Sequence, residues 1–162
     1  MPRVWTPIRT AACVLFAVAV IAPGAGAGNQ ANSLNQTERS LLSVVNEVRG
    51  NHGLRPLNVD PALARAARSY TATMLRTGVF SHGDMFGRLS RSGAAGPAYG
   101  ENLAWGTGPF ATARQVVRGW MGSPGHRANL LRAGFTRVGI ADLVGSFQGR
   151  GGAHVVTADF AG

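Results

Sequence analysis

The chain has 162 residues, 45% of them hydrophobic and 14% charged, which is enough for one globular domain and too little for two. Its 23 glycines and 8 prolines are too few for a collagen-like or a wholly disordered chain. The 16 basic residues, all arginine, outnumber the 7 acidic ones, and the formal net charge is +9.

The N-terminus has the pattern of a secretory signal peptide. Arg3 and Arg9 precede an apolar run over residues 11–22, and the small residues of 25–27 follow as an A-x-A cleavage pattern. The run is shorter than the roughly 20 apolar residues that a membrane-spanning helix needs. An uncleaved membrane anchor is the alternative interpretation.

This pattern predicts a signal peptide over residues 1–27, a polar leader over 28–36 and a single domain over 37–162. We therefore expect a secreted or cell-envelope-associated protein with no transmembrane segment in its mature chain. The only cysteine, Cys13, lies in the predicted signal peptide, so the mature chain would have neither a disulfide nor a thiol nucleophile.

Two amphipathic helices are predicted at the start of the domain. Thr37 is the expected N-cap of the first helix. Asp60 followed by a proline begins the second helix, and Gly78 ends it. Residues 80–96 are irregular and rich in glycine and serine, which predicts a long loop that carries the sequence Ser81-His82-Gly83-Asp84.

A short strand and two more helices follow. Residues 99–105 mix apolar and polar side chains in a short stretch, which predicts a strand with Glu101 on one face and Asn102 on the other. An apolar stripe from Phe110 to Trp120 predicts a third helix, and Ser123 begins a shorter fourth helix that runs to Leu131.

The C-terminal part predicts a β-hairpin. Residues 137–144 and 153–160 have strand patterns, and the glycine-rich residues 146–152 between them are of hairpin-loop type. Because helices come first and an antiparallel hairpin last, the fold class is α+β, with helices covering a small sheet. The residues predicted to form the core are Leu42, Val45, Leu63, Ala67, Tyr70, Met74, Val116, Trp120, Leu130, Val138, Ile140, Val156 and Phe160.

Two histidines occur in unusual contexts, His82 in FSHGD and His126 in SPGHR. With Ser123 as N-cap, His126 is the third residue of its helix, where the helix dipole disfavours the imidazolium. A neutral ring nitrogen would then be available as a metal ligand or a base. The alternative is that His126 only packs against or caps the helix start.

Glu101 lies in the otherwise uncharged segment YGENLAW, where an inward-facing carboxylate needs a partner. An arginine from a neighbouring helix would make Glu101 structural. Two imidazoles would instead make it part of a polar cluster that can bind a metal or move a proton. The spacing does not choose, because His82, Glu101 and His126 are far apart and form no short ligand motif.

The other candidates are weaker. Ser81, Ser123 and Asp84 are conceivable members of a Ser-His-Asp triad, but no G-x-S-x-G motif is present. His52 is expected to be exposed, and His154 either packs in the hairpin or has a function. The predicted export and the absence of a recognisable nucleic-acid-binding motif argue against nucleic acid as a partner.

Arginines are spread over several predicted elements, which indicates either a solvated basic face or attraction to anionic lipid headgroups and cell-wall polymers. They are Arg65, Arg68, Arg76, Arg88, Arg91, Arg114, Arg118, Arg127, Arg132 and Arg137.

A succession of motifs between Leu41 and Ala161 resembles bacterial secreted CAP domains, of the superfamily of cysteine-rich secretory proteins, antigen 5 and plant pathogenesis-related proteins. The motifs are VNEVRGNHGLRPLNVDPALARAA, FSHGDMFGR, YGENLAWG, VVRGWMGSPGHRANLL, FTRVGIA and TADFAG. The resemblance implies a three-layer α-β-α sandwich, in which helices cover a small, mainly antiparallel sheet, with a cleft on one side.

The resemblance also implies that His82, Glu101 and His126 converge in this cleft, with Asn102 and Ser123 beside them. In the animal and plant branches the cleft carries two histidines and two glutamates and can hold zinc or a similar divalent ion. Ser123 stands where the second acid is expected, so His82 and His126 remain as the metal ligands, with lower expected affinity for Zn²⁺ than a closed four-ligand site has.

Two functions follow from these expectations. The first is a non-catalytic module that binds a lipid, sterol-like or cell-envelope ligand in the cleft. The second is a hydrolase in which Zn²⁺ held by His82 and His126 activates a water and Glu101 is the catalytic base. Binding is favoured, because catalytic zinc usually has three protein ligands and using Glu101 as the third leaves no base. In a third interpretation the chain is a structural cell-surface protein, and the side chains of the polar cluster only form hydrogen bonds with one another.

Overall fold

The computed structural model describes residues 34–162. The predicted signal peptide over 1–27, Cys13 and most of the predicted leader lie outside the described residues, so these assignments stay predictions. Among residues 34–162, no helix combines the length and the apolar character that crossing a membrane requires.

The described residues form five α-helices, one 3₁₀ turn and four strands, in the following order. They are α1 (Gln36–Asn51), β1 (Asn58–Val59), α2 (Pro61–Thr77), α3 (Met85–Arg91), β2 (Tyr99–Gly106), the 3₁₀ turn (Gly108–Ala111), α4 (Ala113–Met121), α5 (Pro124–Leu130), β3 (Arg137–Phe147) and β4 (Arg150–Ala161).

The strands form one mixed sheet in the order β1-β3-β4-β2. Strand β4 pairs antiparallel with both β2 and β3, whereas the short β1 pairs parallel with β3. The α+β class and the mainly antiparallel sheet are confirmed, and the parallel β1 is an addition that the sequence did not predict. Strand β2 is an edge of this sheet, which matters for the site it carries.

Helices cover both faces of the sheet. Val138 and Ile140 of β3 belong to the main apolar cluster, which also contains Leu41 of α1 and Trp120 of α4. Gly139 lies between them and faces the other way, directly against the backbone of α2. The α-β-α sandwich is therefore confirmed, with α1, α4 and α5 on one side and α2 and α3 on the other.

Every residue predicted to form the core is buried, except Leu42 and Tyr70, which are partly buried. Leu42 packs against the edge of the main apolar cluster. Tyr70 is partly exposed because its hydroxyl and ring serve the functional site described below.

The start of α1 differs from the prediction. Asn35, not Thr37, is the N-cap, and it forms a capping box with Glu38. The Asn35 side chain accepts from the Glu38 amide at 2.9 Å, and the Glu38 carboxylate accepts from the Asn35 amide at 2.7 Å. This reciprocal pair satisfies two free amide groups at the helix start, which a threonine cap alone does not do. The predicted limits of α2 are confirmed, with Asp60 as N-cap and Gly78 left-handed at φ 70°.

Residues 80–96 are not one continuous loop, because α3 lies within them. Asp84 caps this helix by accepting from the Gly87 amide at 2.9 Å. A helix of seven residues with Leu89 as its one buried residue is too short to show a helical apolar period.

The hairpin strands are longer than the predicted 137–144 and 153–160, and the predicted seven-residue loop is a two-residue turn. Gln148 and Gly149 both have positive φ, 50° and 74°, as in the type I′ turns that match strand twist. Phe110 is also misassigned, because it lies in the 3₁₀ turn before α4 and its side chain is exposed.

Candidate functional site

The candidate site lies at the edge of the sheet where β2 meets the loop before α3 and the start of α5. Nδ1 of His82 is 2.7 Å from Oε1 of Glu101, close enough for an imidazole N–H to donate to the carboxylate. The rings of His82 and His126 have their centroids 6.4 Å apart. Asn102 donates to the backbone carbonyl of His126 at 3.0 Å. Because β2 is an edge strand, residues from both of its faces reach this one place.

Ser123 also lies near this place, since it lines the same groove as His126. It occupies the N-cap position of α5, and His126 is the third helical residue, as the sequence predicts. The Ser123 side chain makes no capping hydrogen bond, so its hydroxyl is not used by the helix start.

Glu101 is held by an arginine as well as by an imidazole. Nη2 of Arg88 donates to Glu101 and also lies 3.4 Å from Oδ1 of Asp159. Asp159 is the direct cross-strand neighbour of Glu101 on β4, and both carboxyl side chains are fully buried. The two partners that the sequence offered as alternatives for Glu101 therefore both contact it.

Burial changes the protonation of this cluster. Desolvation raises the pKa of Glu101 from 4.5 to about 7, against the lowering effect of Arg88. The pKa of Asp159 is also raised well above its usual value, by burial first and then by the charge of Glu101. Two buried carboxyl groups beside one guanidinium thus share a proton near neutral pH. Burial, followed by the nearby His82, lowers the pKa of His126, which favours its neutral ring.

Three residues that the sequence analysis did not assign to the site hold it together: Tyr70, Arg88 and Asp159. The guanidinium of Arg88 lies 3.8 Å from the centre of the Tyr70 ring, and the Tyr70 hydroxyl donates to the carbonyl of Ser81. Helix α2 thereby fixes the residue that precedes His82. Asp159 was detectable as the one acidic residue of the predicted strand over residues 153–160.

Asn129 of α5 joins the two sides of the site. Its side-chain amide donates to the carbonyl of Glu101 at 3.1 Å and to the side-chain oxygen of Asn102 at 3.0 Å. Helix α5 is therefore attached to β2 beside His126. This attachment holds His126 beside the strand that carries Glu101.

An open groove of about 430 Å³ extends from His126 along β2 and α4. Phe80, Trp105 and Phe110 line it with side chains that are 40%, 36% and 76% exposed. Its floor includes the buried Trp120, whose indole donates to the carbonyl of Leu103 at 2.9 Å. The lining of the groove thus combines aromatic side chains with the polar side chains of Gln115, Ser123 and His126.

The donor groups at the site do not fit a catalytic zinc ion with three protein ligands. Within residues 34–162, no group of three or more His, Cys, Asp or Glu side chains is placed to hold a metal ion. Glu101 is engaged by Arg88, and His82 uses its Nδ1 on Glu101, so one nitrogen of His82 and the ring of His126 remain. Two imidazoles are a partial site at most.

The other residues that the sequence offered as candidates lie apart from this cluster or form hydrogen bonds with the backbone. His154 pairs with Asp142 at 3.0 Å, and His52 is exposed and bonds to a carbonyl of its own helix. Asp84 caps α3 through the Gly87 amide, and the carbonyl of Ser81 accepts from Tyr70. None of these contacts forms a Ser-His-Asp triad among the described residues.

A three-layer α-β-α sandwich with a small, mainly antiparallel sheet is the fold of a known class of domain. The chain belongs to this class, the CAP or cysteine-rich secretory protein family, whose model matches residues 42–160.

Individual relatives agree with the family assignment. The uncharacterized protein YkwD of Bacillus subtilis is 32% identical over 114 residues, 67% of this chain and 43% of YkwD. Pathogenesis-related protein 1C of Nicotiana tabacum is 32% identical over 87 residues, 52% of this chain and 44% of that protein. The chain thus spans less than half the length of these curated relatives.

A solved structure agrees as well. An extracellular protein containing a SCP domain from Bacillus anthracis superposes with a TM-score of 0.64 at 27% identity, over 77% of this chain and 40% of that one. The membership, the fold and the likeness to pathogenesis-related proteins that the sequence motifs implied are therefore confirmed.

Proposed function

We propose that this protein is an extracellular, non-catalytic binding module that holds the apolar chain of a lipid-like ligand in the groove beside His126. The observation that carries the proposal is the set of three exposed aromatic side chains, Phe80, Trp105 and Phe110, along one cavity of about 430 Å³. Large apolar side chains grouped at the surface commonly mark a binding site.

The lining of the groove supports an amphipathic ligand. Trp105 and Phe80 pack edge-on against the buried Phe147, with ring centroids 5.6 and 6.2 Å away, so two of the aromatic walls are held in place. His126 and Ser123 supply hydrogen-bonding groups to the lining of the groove. A ligand with an apolar chain and a polar head can contact the aromatic side chains with the chain and the His126 and Ser123 side chains with the head.

An extracellular location is part of the proposal. The predicted signal peptide over residues 1–27 supports it, as does the likeness to the Bacillus anthracis protein described as extracellular. The ligand would then come from the cell envelope or from the surrounding medium.

The alternative, a zinc hydrolase with Glu101 as base, is less well supported. A general base needs access to the water it activates, whereas the Glu101 side chain is fully buried and bound to Arg88. Two imidazoles with water completing the shell should bind Zn²⁺ weakly. Calorimetric titration of Zn²⁺ into metal-free protein, beside a His82→Ala/His126→Ala double variant, tests this expectation. Zinc-dependent cleavage that is lost in Glu101→Gln would support the hydrolase instead.

The proposed groove is tested by titrating the protein with a dansyl-labelled fatty acid. Phe110→Ser should raise the Kd about tenfold or more, because burying a phenylalanine side chain contributes roughly 1.5 to 3 kcal/mol. Phe86→Ser is the matched control, since Phe86 is 64% exposed and lies outside the groove. The control should change the Kd less than about twofold. Equal weakening in both variants, or no saturable binding, would refute the groove as the site.

A further inference from the structure

A second, smaller cavity lies between α2 and α3, in the helix layer opposite α4. It has a volume of about 240 Å³ and is lined by Arg65, Ala66, Ser69, Arg88, Arg91 and Ser92. Three arginines and two serines thus line one small cavity, and no acidic residue is among its lining residues. We propose that this cavity, the α2–α3 cavity, binds a phosphate group. The proposal does not depend on the function of the aromatic groove.

Arg88 supplies the inner wall of the α2–α3 cavity. Its Nη2 atom bonds to Glu101 and Asp159, which fixes the side chain. Its Nε atom is buried and has no hydrogen-bond partner among the described residues. The unused donor belongs to a residue that lines the cavity, and a buried N–H group without an acceptor costs free energy.

Arg65 and Arg91 supply the outer wall. Arg65 is exposed and forms no ion pair with any residue of 34–162. Arg91 lies 3.5 Å from Asp84, but both side chains are largely exposed, and such a pair contributes less than about 1 kcal/mol. An anionic phosphate group can therefore compete with Asp84 for Arg91.

The residue types suit a phosphate group. The planar guanidinium presents its donors in a fork that matches two phosphate oxygens, and hydrogen bonds between charged groups are the strong ones. Ser69 lies one helical turn after Arg65 and adds a hydroxyl on the same face of α2. The cavity is smaller than the roughly 300 Å³ at which drug-sized ligand sites begin, so it suits a single phosphate group with a short substituent.

A phosphate group of this kind occurs both in lipid headgroups and in soluble phosphate esters, and the experiment separates the two sources. The purified protein is titrated with glycerol phosphate while backbone amide resonances are recorded. It is then floated with vesicles of phosphatidylglycerol and phosphatidylcholine and with vesicles of phosphatidylcholine alone. The test variant is Arg65→Gln/Arg91→Gln. The control is Arg118→Gln/Arg150→Gln, which removes the same charge from two exposed arginines outside the cavity.

We expect saturable shifts at Ser69 and Ser92, with a Kd that rises at least tenfold in Arg65→Gln/Arg91→Gln and less than twofold in the control. Vesicle binding that glycerol phosphate displaces would assign the phosphate to a lipid headgroup, and glycerol phosphate binding without vesicle binding would assign it to a soluble ester. Both results support the cavity. Equal loss in the two double variants would mean that only net charge matters, and that result, or shifts that do not saturate, would overturn the proposal.

Discussion

At the scale of single residues, the centre of the site is a pair of carboxyl groups that face each other across two strands. Glu101 and Asp159 are direct neighbours in the pairing of β2 with β4. Like charges in this position repel each other. The structure tolerates the pair because Arg88 contacts both groups and because burial keeps a proton on the pair near neutral pH.

This shared proton predicts a specific dependence of stability on pH. The folded pKa of Glu101 is about 7, above its ordinary 4.5, so between these values the folded protein holds a proton that the unfolded chain has lost. The contribution of Glu101 to stability is therefore fully present below about pH 4.5 and is lost as pH rises through 7. Asp159, whose pKa is also raised, acts in the same direction, and His126, whose pKa is lowered, acts in the opposite direction.

Comparison with Glu101→Gln isolates this effect, because glutamine does not titrate. From pH 5 to pH 8 the free energy of unfolding of Glu101→Gln should rise relative to wild type, by on the order of 2 to 3 kcal/mol. Urea denaturation across this range measures the difference. Glu47→Gln, an exposed glutamate that lies 3.6 Å from Arg114, should run parallel to wild type. Parallel curves for Glu101→Gln would mean that Glu101 is ionised throughout the range.

The sequence predicted part of this chemistry. A carboxylate in YGENLAW needs a partner, and the choice between arginine and imidazole was left open because it depends on which loops and strands meet at the sheet edge. Arg88 and Asp159 were not assigned to the site for the same reason. The pairing register of β2 with β4 places Asp159 opposite Glu101, and no local pattern contains that register.

At the scale of the secondary-structure elements, α2 packs closely against β3 at Gly139. A Cβ atom on Gly139 would lie 2.0 Å from the backbone carbon of Leu63 and 2.2 Å from the backbone nitrogen of Ala64. Backbone atoms cannot move aside as a flexible side chain does. The absence of a side chain at Gly139 therefore determines how closely α2 can cover the sheet.

Gly139→Ala should lower the free energy of unfolding by about 3 kcal/mol, because the added methyl group forces α2 away from β3. Urea denaturation measures the change. Gly151→Ala is the control, since a Cβ there meets no atom within 4 Å and its φ is not positive. The control should stay within about 0.5 kcal/mol of wild type. A Gly139→Ala variant as stable as wild type would contradict the proposed close contact.

The longer elements were predictable because each has a clear apolar period or cap. Helix α2 has an aspartate cap, a proline at its first position and a terminal glycine, and all three were visible in the sequence. The short α3 and β1 were not, since seven and two residues are too few for a period. The turn at Gln148 and Gly149 was hidden among neighbouring glycines, so the hairpin strands were predicted too short.

At the scale of the whole molecule, the domain is held together without a cysteine in residues 34–162. Hydrogen bonds from the buried guanidinium of Arg49 provide part of the cross-linking that disulfide bonds would give. It donates to the carbonyls of Leu130 and Phe135 at 2.7 and 2.9 Å and to that of Arg55 at 2.9 Å. One side chain thus connects the end of α1 to the chain that follows α5.

The two proposed ligand sites lie on different parts of this framework. The aromatic groove runs along β2 and α4, whereas the α2–α3 cavity is formed by the opposite helix layer. Arg88 is shared between the α2–α3 cavity and the buried carboxyl pair. A protein that bound an apolar chain in the first site and a phosphate group in the second would be suited to the phospholipids of a cell envelope.

The measurement that tests the central claim most directly is native mass spectrometry of the protein incubated with a palmitoyl lysophospholipid. The account predicts bound lysophospholipid that is recovered chemically intact, with lower occupancy in Phe110→Ser than in wild type and unchanged occupancy in Phe86→Ser. Release of free palmitate by the wild-type protein, or occupancy that is the same in wild type and Phe110→Ser, would contradict a non-catalytic lipid-binding groove beside His126.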